Sequence, residues 1–363
     1  MDKEKSESGS SLIKSGRSLI NLKNRLAAPG GMFLILVISF GVLIILAFLL
    51  SKTPGRTLNY FFLGPLRNLY YFGNMLNSAI PLIFGGLGIC VAMQANCFNL
   101  GGEGQIYIGA FVTTISALAL APLGLSGAVL ALAAGAAVSG LAAGISGFLK
   151  IRWNTSELIT SFLLSNALVL IISFFITGPF LDPATNLQST RKIPDSFRLP
   201  LILPPSNLSA ALFLAVTAVI LVYLFLYKSR IGYELRMSGL NKVFAQYGGI
   251  HTSGKILLAM FLSGLLYGLG GGMAIYGTYY STMKEFSSGM GWNGLAVALI
   301  ARNKPQAVIP AAVFFAWIGS GARIAMQFSD ITFEIASIVQ SVVFFLVTST
   351  VLLDIFKKQR AAG

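Results

Sequence analysis

Residues 230–255 read RIGYELRMSGLNKVFAQYGGIHTSGK, and they form a polar, basic island between two long apolar runs. Apolar residues recur in the island at helical spacing, which predicts a short amphipathic helix from about Gly239 to Gly248. The predicted apolar face consists of Leu240, Val243, Phe244 and Tyr247. A short helix that charge holds outside a bilayer needs something to cover such a face. A second protein fits this need better than water, so the island predicts a docking surface.

The composition of the chain is that of a membrane protein. Only 10% of its 363 residues are charged and 55% are hydrophobic, and the mean hydropathy is +0.77. A soluble domain has about 25% charged residues, so the sequence predicts an all-α polytopic membrane protein. The net charge of +14 comes from Lys and Arg that cluster in short loops between apolar runs. Such clusters are typical of cytoplasmic loops, and we expect no nucleic-acid partner.

About ten transmembrane helices are predicted, because a span needs about 20 apolar residues. The predicted spans are residues 32–50, 75–95, 105–121, 127–149, 158–176, 208–227, 256–279, 291–300, 307–322 and 331–353. Counted from a cytoplasmic N-terminus, the chain is cationic after spans four, six, eight and ten, so both termini are predicted to be cytoplasmic. Segment 291–300 is too short to cross alone, and we expect it to enter at a slant or to be a broken helix buried among others.

The charge pattern also predicts the domain limits. Residues 1–31 are a basic cytoplasmic tail, either an interfacial helix on an anionic leaflet or a disordered segment. Residues 32–356 are the transmembrane domain, with a cytoplasmic loop at 229–255, and residues 357–363 are a second cytoplasmic tail. We expect no cleaved signal peptide, because the basic region is too long and the first apolar run is long enough to span.

Glycines recur at four-residue spacing in two of the predicted spans. Examples are Gly140 with Gly144, and Gly264 with Gly268 and Gly272. Small residues at this spacing let helix backbones approach closely in lipid. We therefore expect these glycines to mark helix–helix contacts rather than ligand sites.

Two polar segments interrupt the apolar spans and supply candidate path residues. The first, FNLGGEGQ (98–105), contains Asn99, Glu103 and Gln105. Its two adjacent glycines allow a sharp turn, and Glu103 is placed where the dipole of the next helix favours an anion. A helix cap at a tight cytoplasmic turn is one interpretation, and a role in the gate is the other. The second, residues 286–305, contains Trp292 and Asn293. Irregular backbone at membrane depth must lie inside protein or line a cavity. This segment is therefore the best indication of a translocation path in the sequence.

Asn166 lies in the middle of a predicted span, where a buried amide needs a hydrogen-bond partner. It is expected either to bond another helix or to line a path. Glu157, at the start of the same span, is interpreted as a helix-capping group.

No catalytic, metal or cofactor constellation is apparent. Cys90 and Cys97 are not spaced as metal ligands, and His251 is the single histidine. GIHTSGK (249–255) has the spacing of a phosphate loop, but Ile256 stands where Ser or Thr should hold magnesium, and no strand precedes it. Asp330 and Glu334 are the nearest candidates for an intramembrane relay, and both lie at the outer start of the last span. We therefore expect energy to come from outside this chain.

Taken together, the motifs resemble those of a transporter family. The matching stretches are FNLGGEGQIYIGAF (98–111), the segment with Glu157 and Asn166, IGYELRMSGLNKVFAQYGGI (231–250), LSGLLYGLGGGM (262–273) and GMGWNGLAVALIARNKP (289–305). Over about 81–351 the chain resembles the permease subunits of bacterial ABC importers for simple sugars and nucleosides, the group that includes the ribose permease.

This resemblance implies a cytoplasmic coupling segment that docks on an ATPase subunit. The residues matching that segment are Arg236, Gly239, Asn241, Ala245 and Gly249. It further implies a second permease subunit, either a paralogue or a second copy, an extracytoplasmic binding protein, and a location in the bacterial inner membrane. The GGEGQ and GMGWNGLAVAL forms favour the nucleoside branch. Phe244-Ala245 replaces a typical Ala-Ala, which leaves the fit to a particular ATPase open.

The alternatives are the same machinery for simple sugars or riboflavin, or a secondary transporter that works without an ATPase. The lack of an ionisable relay disfavours the secondary transporter. A membrane-embedded enzyme is disfavoured because no catalytic groups are apparent.

Overall fold

The computed structural model describes residues 51–330 continuously, together with positions 41–42, 44–45, 47–49, 332, 338, 341–342 and 345. The regular elements of this part of the chain are helices. They are α1 (Pro54–Leu63), α2 (Leu69–Gln94), α3 (Gly102–Ala119), α4 (Gly124–Trp153), α5 (Glu157–Thr177), α6 (Ala211–Lys228), α7 (Arg230–Leu240), α8 (Lys242–Tyr247), α9 (Thr252–Ala274, continued by a π-helical turn Ile275–Tyr279), α10 (Met290–Ile300) and α11 (Val308–Phe328).

Six of the described helices are long and apolar enough to cross a membrane. They comprise Leu69–Gln94, Ala121–Trp153, Glu157–Thr177, Ala211–Lys228, Thr252–Tyr279 and Pro305–Phe328. The all-helical membrane fold is therefore confirmed, whereas the count of ten is not. The expected spans 32–50 and 331–353, both terminal tails and Glu334 lie largely or wholly outside the described residues.

The described part of the chain divides into two compact units, residues 63–320 and a smaller unit that includes residues 51–62 and 321–330. The larger unit is built around α9, which packs against α4, α2 and α3. Glycines make these contacts possible: a Cβ on Gly264 would lie 2.5 Å from the Cβ of Ala143, and one on Gly268 would lie 2.5 Å from the Cβ of Ser139. The expectation of close helix packing is confirmed at these positions. Gly144 differs, because a Cβ there would meet only Leu257, at 4.0 Å.

The connection between α2 and α3 is not the tight turn expected from the sequence. Phe98 N donates to Glu157 Oε1 (3.2 Å), Leu100 N to Ser161 Oγ (3.0 Å) and Gly104 N to Ser165 Oγ (2.8 Å). Glu157 and Ser165 are about 12 Å apart along α5 at 1.5 Å per residue. The non-helical segment 98–101 and the first turn of α3 thus run alongside α5, and α3 starts inside the helix bundle.

The basic island contains two helices rather than one. Ser229 caps α7 by accepting from Gly232 N (3.0 Å), and Asn241 caps α8 by accepting from Phe244 N (3.0 Å). The predicted helix from Gly239 to Gly248 is therefore broken at Asn241. An extended residue whose side chain satisfies a free N–H group favours a new helix start over continuation.

In the smaller unit, a polar cluster surrounds Asp330. Its carboxylate accepts from Ser51 Oγ (2.6 Å), Thr53 Oγ1 (3.1 Å) and the backbone N–H of Lys52. The hydrogen bond from Ser51 is the main cause that lowers the pKa of Asp330 to about 2. This carboxylate is held as a charged anchor, which does not suit a proton relay.

Candidate functional site

The amides of Asn99 and Gln105 form a buried network where α3 begins. Asn99 Nδ2 donates to Gln105 Oε1 (2.8 Å) and to Ser263 Oγ (2.9 Å), while its Oδ1 accepts from Gly101 N (2.9 Å) and Gln105 Nε2 (3.0 Å). Both amide side chains are almost fully buried. A buried amide network with its partners in place fixes one arrangement of the groups it joins. Here it joins the non-helical segment to α9.

The carboxylate of Glu103 caps the short helix α10. Its Oε1 accepts from Gly289 N and its Oε2 from Gly291 N, both at 2.9 Å. Gly289 has a φ of +83°, a left-handed conformation that glycine adopts without steric cost. A carboxylate at a helix N-terminus satisfies free N–H groups and complements the dipole. The sequence predicted that Glu103 caps the helix in which it lies, but the structure shows it capping α10, which is far along the chain.

Helix α10 is short and largely buried, which agrees with the expectation that segment 291–300 is buried among other helices. Residues 294–299 are buried, and the helix packs against α2 and α3. The Tyr267 hydroxyl donates to the Gly291 carbonyl (3.4 Å), so α9 also contacts the start of α10. A narrow crevice, closed to a water-sized probe, lies at this junction and is bordered by Asn99, Glu103, Tyr267 and Trp292.

Trp292 and Asn293 lie on the first turn of α10, at the edge of that crevice. The Trp292 ring is 40% exposed and meets Phe162 of α5 edge-on, with 6.0 Å between ring centroids. Asn293 is half-buried. Three segments distant in sequence, 99–105, 162 and 291–293, therefore meet at one place.

Asn166 does not make the bond to another helix that was one of its two expected roles. Its Nδ2 donates to the Phe162 carbonyl of its own helix (3.0 Å), and the side chain is exposed. It lies one turn beyond Phe162 on the same face of α5. Asn166, Phe162 and Trp292 thus share an exposed strip beside the crevice.

The predicted coupling residues divide into buried and exposed sets. Ala245 is buried, and a Cβ on Gly239 would collide with the Gln94 carbonyl at the end of α2. Arg236 is half-buried over the Tyr227 ring, 5.0 Å from its centroid. Asn241 and Gly249 are exposed, and Gly249 has a φ of +78°.

The apolar face that first indicated docking is open to the surroundings. Leu240 is 75%, Val243 59%, Phe244 63% and Tyr247 89% exposed. An exposed apolar cluster on a short polar segment marks an interaction surface. The buried residues Gly239 and Ala245 hold this segment against the helix bundle, and the exposed residues present the face.

An ion-pair network connects α7 to α9. Glu234 accepts from Lys255 Nζ at 2.6 Å and from Arg230 Nε at 3.0 Å. These two partners, Lys255 first, lower the pKa of Glu234. Lys255 is in the first turn of the helix that carries Ser263 and Tyr267, so α8, α7, α9 and the crevice form a continuous set of contacts.

Ser263 and Tyr267 are site residues that the sequence prediction did not name. Both occur in the stretch LSGLLYGLGGGM that carried the resemblance. Their four-residue spacing places two polar side chains on one face of an otherwise apolar helix, and this signal alone could have selected them.

The comparison that decides the family covers most of the chain. Residues 71–348 match the family model described as branched-chain amino acid transport system, permease component. The chain belongs to this permease family.

Three curated relatives of the permease carry different printed substrates. A probable riboflavin import permease of Treponema pallidum is 33% identical, with 83% of this chain and 80% of the relative covered. A glucose ABC transporter permease of Haloferax volcanii is 29% identical, with coverages of 86% and 84%. A guanosine ABC transporter permease of Bacillus subtilis is 29% identical, with coverages of 79% and 83%.

Proposed function

We propose that this permease is the membrane subunit of an ATP-driven importer in the bacterial inner membrane, and that it carries a neutral nucleoside. The observation that carries the proposal is the exposed apolar face of α8, which continuous contacts connect to a closed crevice inside the bundle. A separate ATPase subunit covers this face, and ATP hydrolysis is not an activity of this chain. An extracytoplasmic binding protein delivers the solute, and a second permease subunit completes the path.

The coupling route follows the contacts of α9. A displacement of α8 moves α7, and the Glu234–Lys255 ion pair (2.6 Å) passes the movement to the start of α9. Ser263 lies about 12 Å further along that helix, where it bonds Asn99, and Tyr267 follows one turn later against Gly291. Moving α9 would therefore shift both sides of the crevice together.

The chemistry at the crevice favours an uncharged solute. Its polar groups include the Asn99 amide and the Trp292 indole, and the Glu103 carboxylate is already bound by two backbone N–H groups. The partly exposed Trp292 ring can stack on a nucleobase. The guanosine permease among the relatives supports this choice, while the riboflavin and glucose permeases define the alternatives.

The docking role is tested by replacing Phe244 with Ser. We expect ATPase binding to weaken at least about tenfold, because an anchor residue in a docking site contributes about 2 kcal/mol or more. Leu187→Ser is the matched control, since Leu187 is 62% exposed and Phe244 63%. Equal ATPase affinity of the two variants would refute docking at α8.

The substrate is tested by uptake of labelled guanosine, glucose and riboflavin into proteoliposomes that contain the complete complex. We expect ATP-dependent uptake of guanosine. Uptake of glucose or riboflavin alone would keep the ATP-driven mechanism and exclude the nucleoside assignment. Uptake driven by an ion gradient in vesicles without the ATPase would instead establish the secondary-transporter alternative.

A further inference from the structure

An apolar groove that the transport route does not use lies between α4 and α9. It has a volume of about 480 Å³, and its lining includes Leu141, Gly144, Ile145 and Phe148 of α4 with Leu257 and Phe261 of α9. This volume is within the usual range of about 300–1,000 Å³ for sites that hold one small ligand. Leu141, Ile145 and Phe148 are each about half exposed or more, so the groove opens sideways out of the helix bundle.

The groove exists because the two helices separate at Gly144. On one side of it, a Cβ on Gly140 would lie 2.9 Å from the Phe261 ring, and on the other a Cβ on Gly147 would lie 3.1 Å from Met260. At Gly144 the nearest atom is Leu257 Cδ1, at 4.0 Å. The helices are therefore in close contact at Gly140 and at Gly147, and they are separated at Gly144 between them.

The depth of the groove matches one leaflet of a bilayer. Helix α4 ends in Lys150 and Arg152, and Leu141 is about 16 Å from Arg152 along the helix axis. Half of a hydrocarbon core about 30 Å thick is about 15 Å. One acyl chain needs an apolar surface of about this length, so the groove is long enough to hold one.

The cationic end of the groove has the groups that recognise an anionic headgroup. Lys150 is paired with Glu157 (2.7 Å), but Arg152 is exposed and forms no ion pair with any residue that the structure describes. Trp153 is 62% exposed and meets Phe148 edge-on at 6.0 Å. Tryptophan is enriched at the membrane–water interface, and an arginine beside it offers a planar set of donors to a phosphate.

We propose that this groove binds one acyl chain of an anionic phospholipid in the leaflet at the cationic end of α4, with the lipid phosphate on Arg152. The site holds α4 and α9 apart at Gly144 while they remain packed at Gly140 and Gly147. It is distinct from the crevice and does not depend on which solute the permease carries.

Native mass spectrometry of the complete complex, released from nanodiscs of equal phosphatidylglycerol and phosphatidylcholine, measures the retained lipid. We expect wild type to retain one phosphatidylglycerol per permease chain. Gly144→Leu, which fills the floor of the groove, should reduce that retention at least about tenfold. Arg152→Gln should keep a lipid but lose the preference for phosphatidylglycerol over phosphatidylcholine.

Ala133→Leu is the matched control, because Ala133 is an exposed small residue of α4 outside the groove, and it should retain lipid as wild type does. Wild-type retention and preference in both Gly144→Leu and Arg152→Gln would overturn the proposal. A photoreactive benzophenone side chain at Ile145 gives an independent result. Cross-linking to lipid supports the site, and cross-linking to another polypeptide assigns the groove to a protein interface and overturns it.

Discussion

Glu103 shows how a single carboxylate can organise a site between distant segments. It occupies the first turn of α3, yet both of its oxygens bind the start of α10. The charge complements free N–H groups that would otherwise be buried without partners. The position of Trp292, directly after Gly291, depends on this bond.

Glu103→Gln is expected to lower both stability and uptake. A glutamine has one acceptor oxygen, and its NH₂ group would face a second backbone donor. An unsatisfied buried donor costs about 1–3 kcal/mol, so we expect a lower thermal unfolding midpoint together with slower ATP-driven uptake. The exposed Glu285, four residues before Gly289, offers the control. Glu285→Gln should leave both measurements unchanged, and an unchanged Glu103→Gln variant would exclude the capping role.

The low pKa of Asp330 predicts that the stability of the smaller unit decreases at acid pH. Its pKa is lowered to about 2 in the fold, against about 3.9 in an unfolded chain. The carboxylate therefore stabilises the fold above pH about 4, and this contribution is lost as the pH falls toward 2. Thermal unfolding of wild type and Asp330→Asn should differ at pH 6 and converge near pH 2. A difference that stayed constant across this range would contradict the assigned hydrogen bonds.

At the scale of elements, the structure has two helices, α7 and α8, where the sequence predicted one. Each of the two makes different contacts. The exposed side chains of α8 form the apolar face that we propose as the docking surface, and Gly239 at the end of α7 makes close contact with the end of α2. Substitutions can therefore alter the contact between α7 and α2 without changing the exposed face of α8.

Gly239→Trp is expected to uncouple ATP hydrolysis from uptake without preventing membrane insertion. The indole would displace α7 from the Gln94 carbonyl, while the face on α8 stays available to the ATPase. Uptake should fall several-fold, and ATP hydrolysis by the complex should continue. Ala245→Trp, which replaces a second buried contact, should act in the same way. Gly55→Trp is a control, because a Cβ at Gly55 meets nothing within 4 Å; normal uptake by the Gly239 and Ala245 variants would refute the coupling route.

At the scale of the whole molecule, the predicted topology places the two largest polar loops on opposite sides of the membrane. Residues 177–207 are predicted to be outside and the coupling loop, residues 229–255, inside. Leu187 in the first loop is 62% exposed and Tyr247 in the second is 89% exposed. Both native cysteines are fully buried, so a cysteine-reactive reagent should label them little.

Cysteines at these two positions test the topology in intact cells. A membrane-impermeant maleimide should label Leu187→Cys from outside, and it should label Tyr247→Cys only after the cells are permeabilised. Labelling of Tyr247→Cys in intact cells would reverse the topology and place α8 out of reach of a cytoplasmic ATPase.

The sequence by itself determined the features that depend on composition and local periodicity. These are the helical membrane fold, the short buried segment at α10, the glycine contacts of α9 and the apolar face of α8. Some of these features follow from the cost of exposing backbone or charge to lipid, and the others follow from the 3.6-residue period of a helix. Neither cause depends on which helices are neighbours in the fold.

Only the tertiary structure decided which polar groups meet. The partner of Glu103 is almost two hundred residues away, the amide of Asn166 bonds its own helix, and segment 98–101 enters the bundle along α5. Gly140 and Gly144 have the same sequence signature, yet one is packed against Phe261 and the other floors a groove. A side chain's hydrogen-bond needs and a glycine's small size are local properties, but the group that satisfies or fills them is set by how the helices pack.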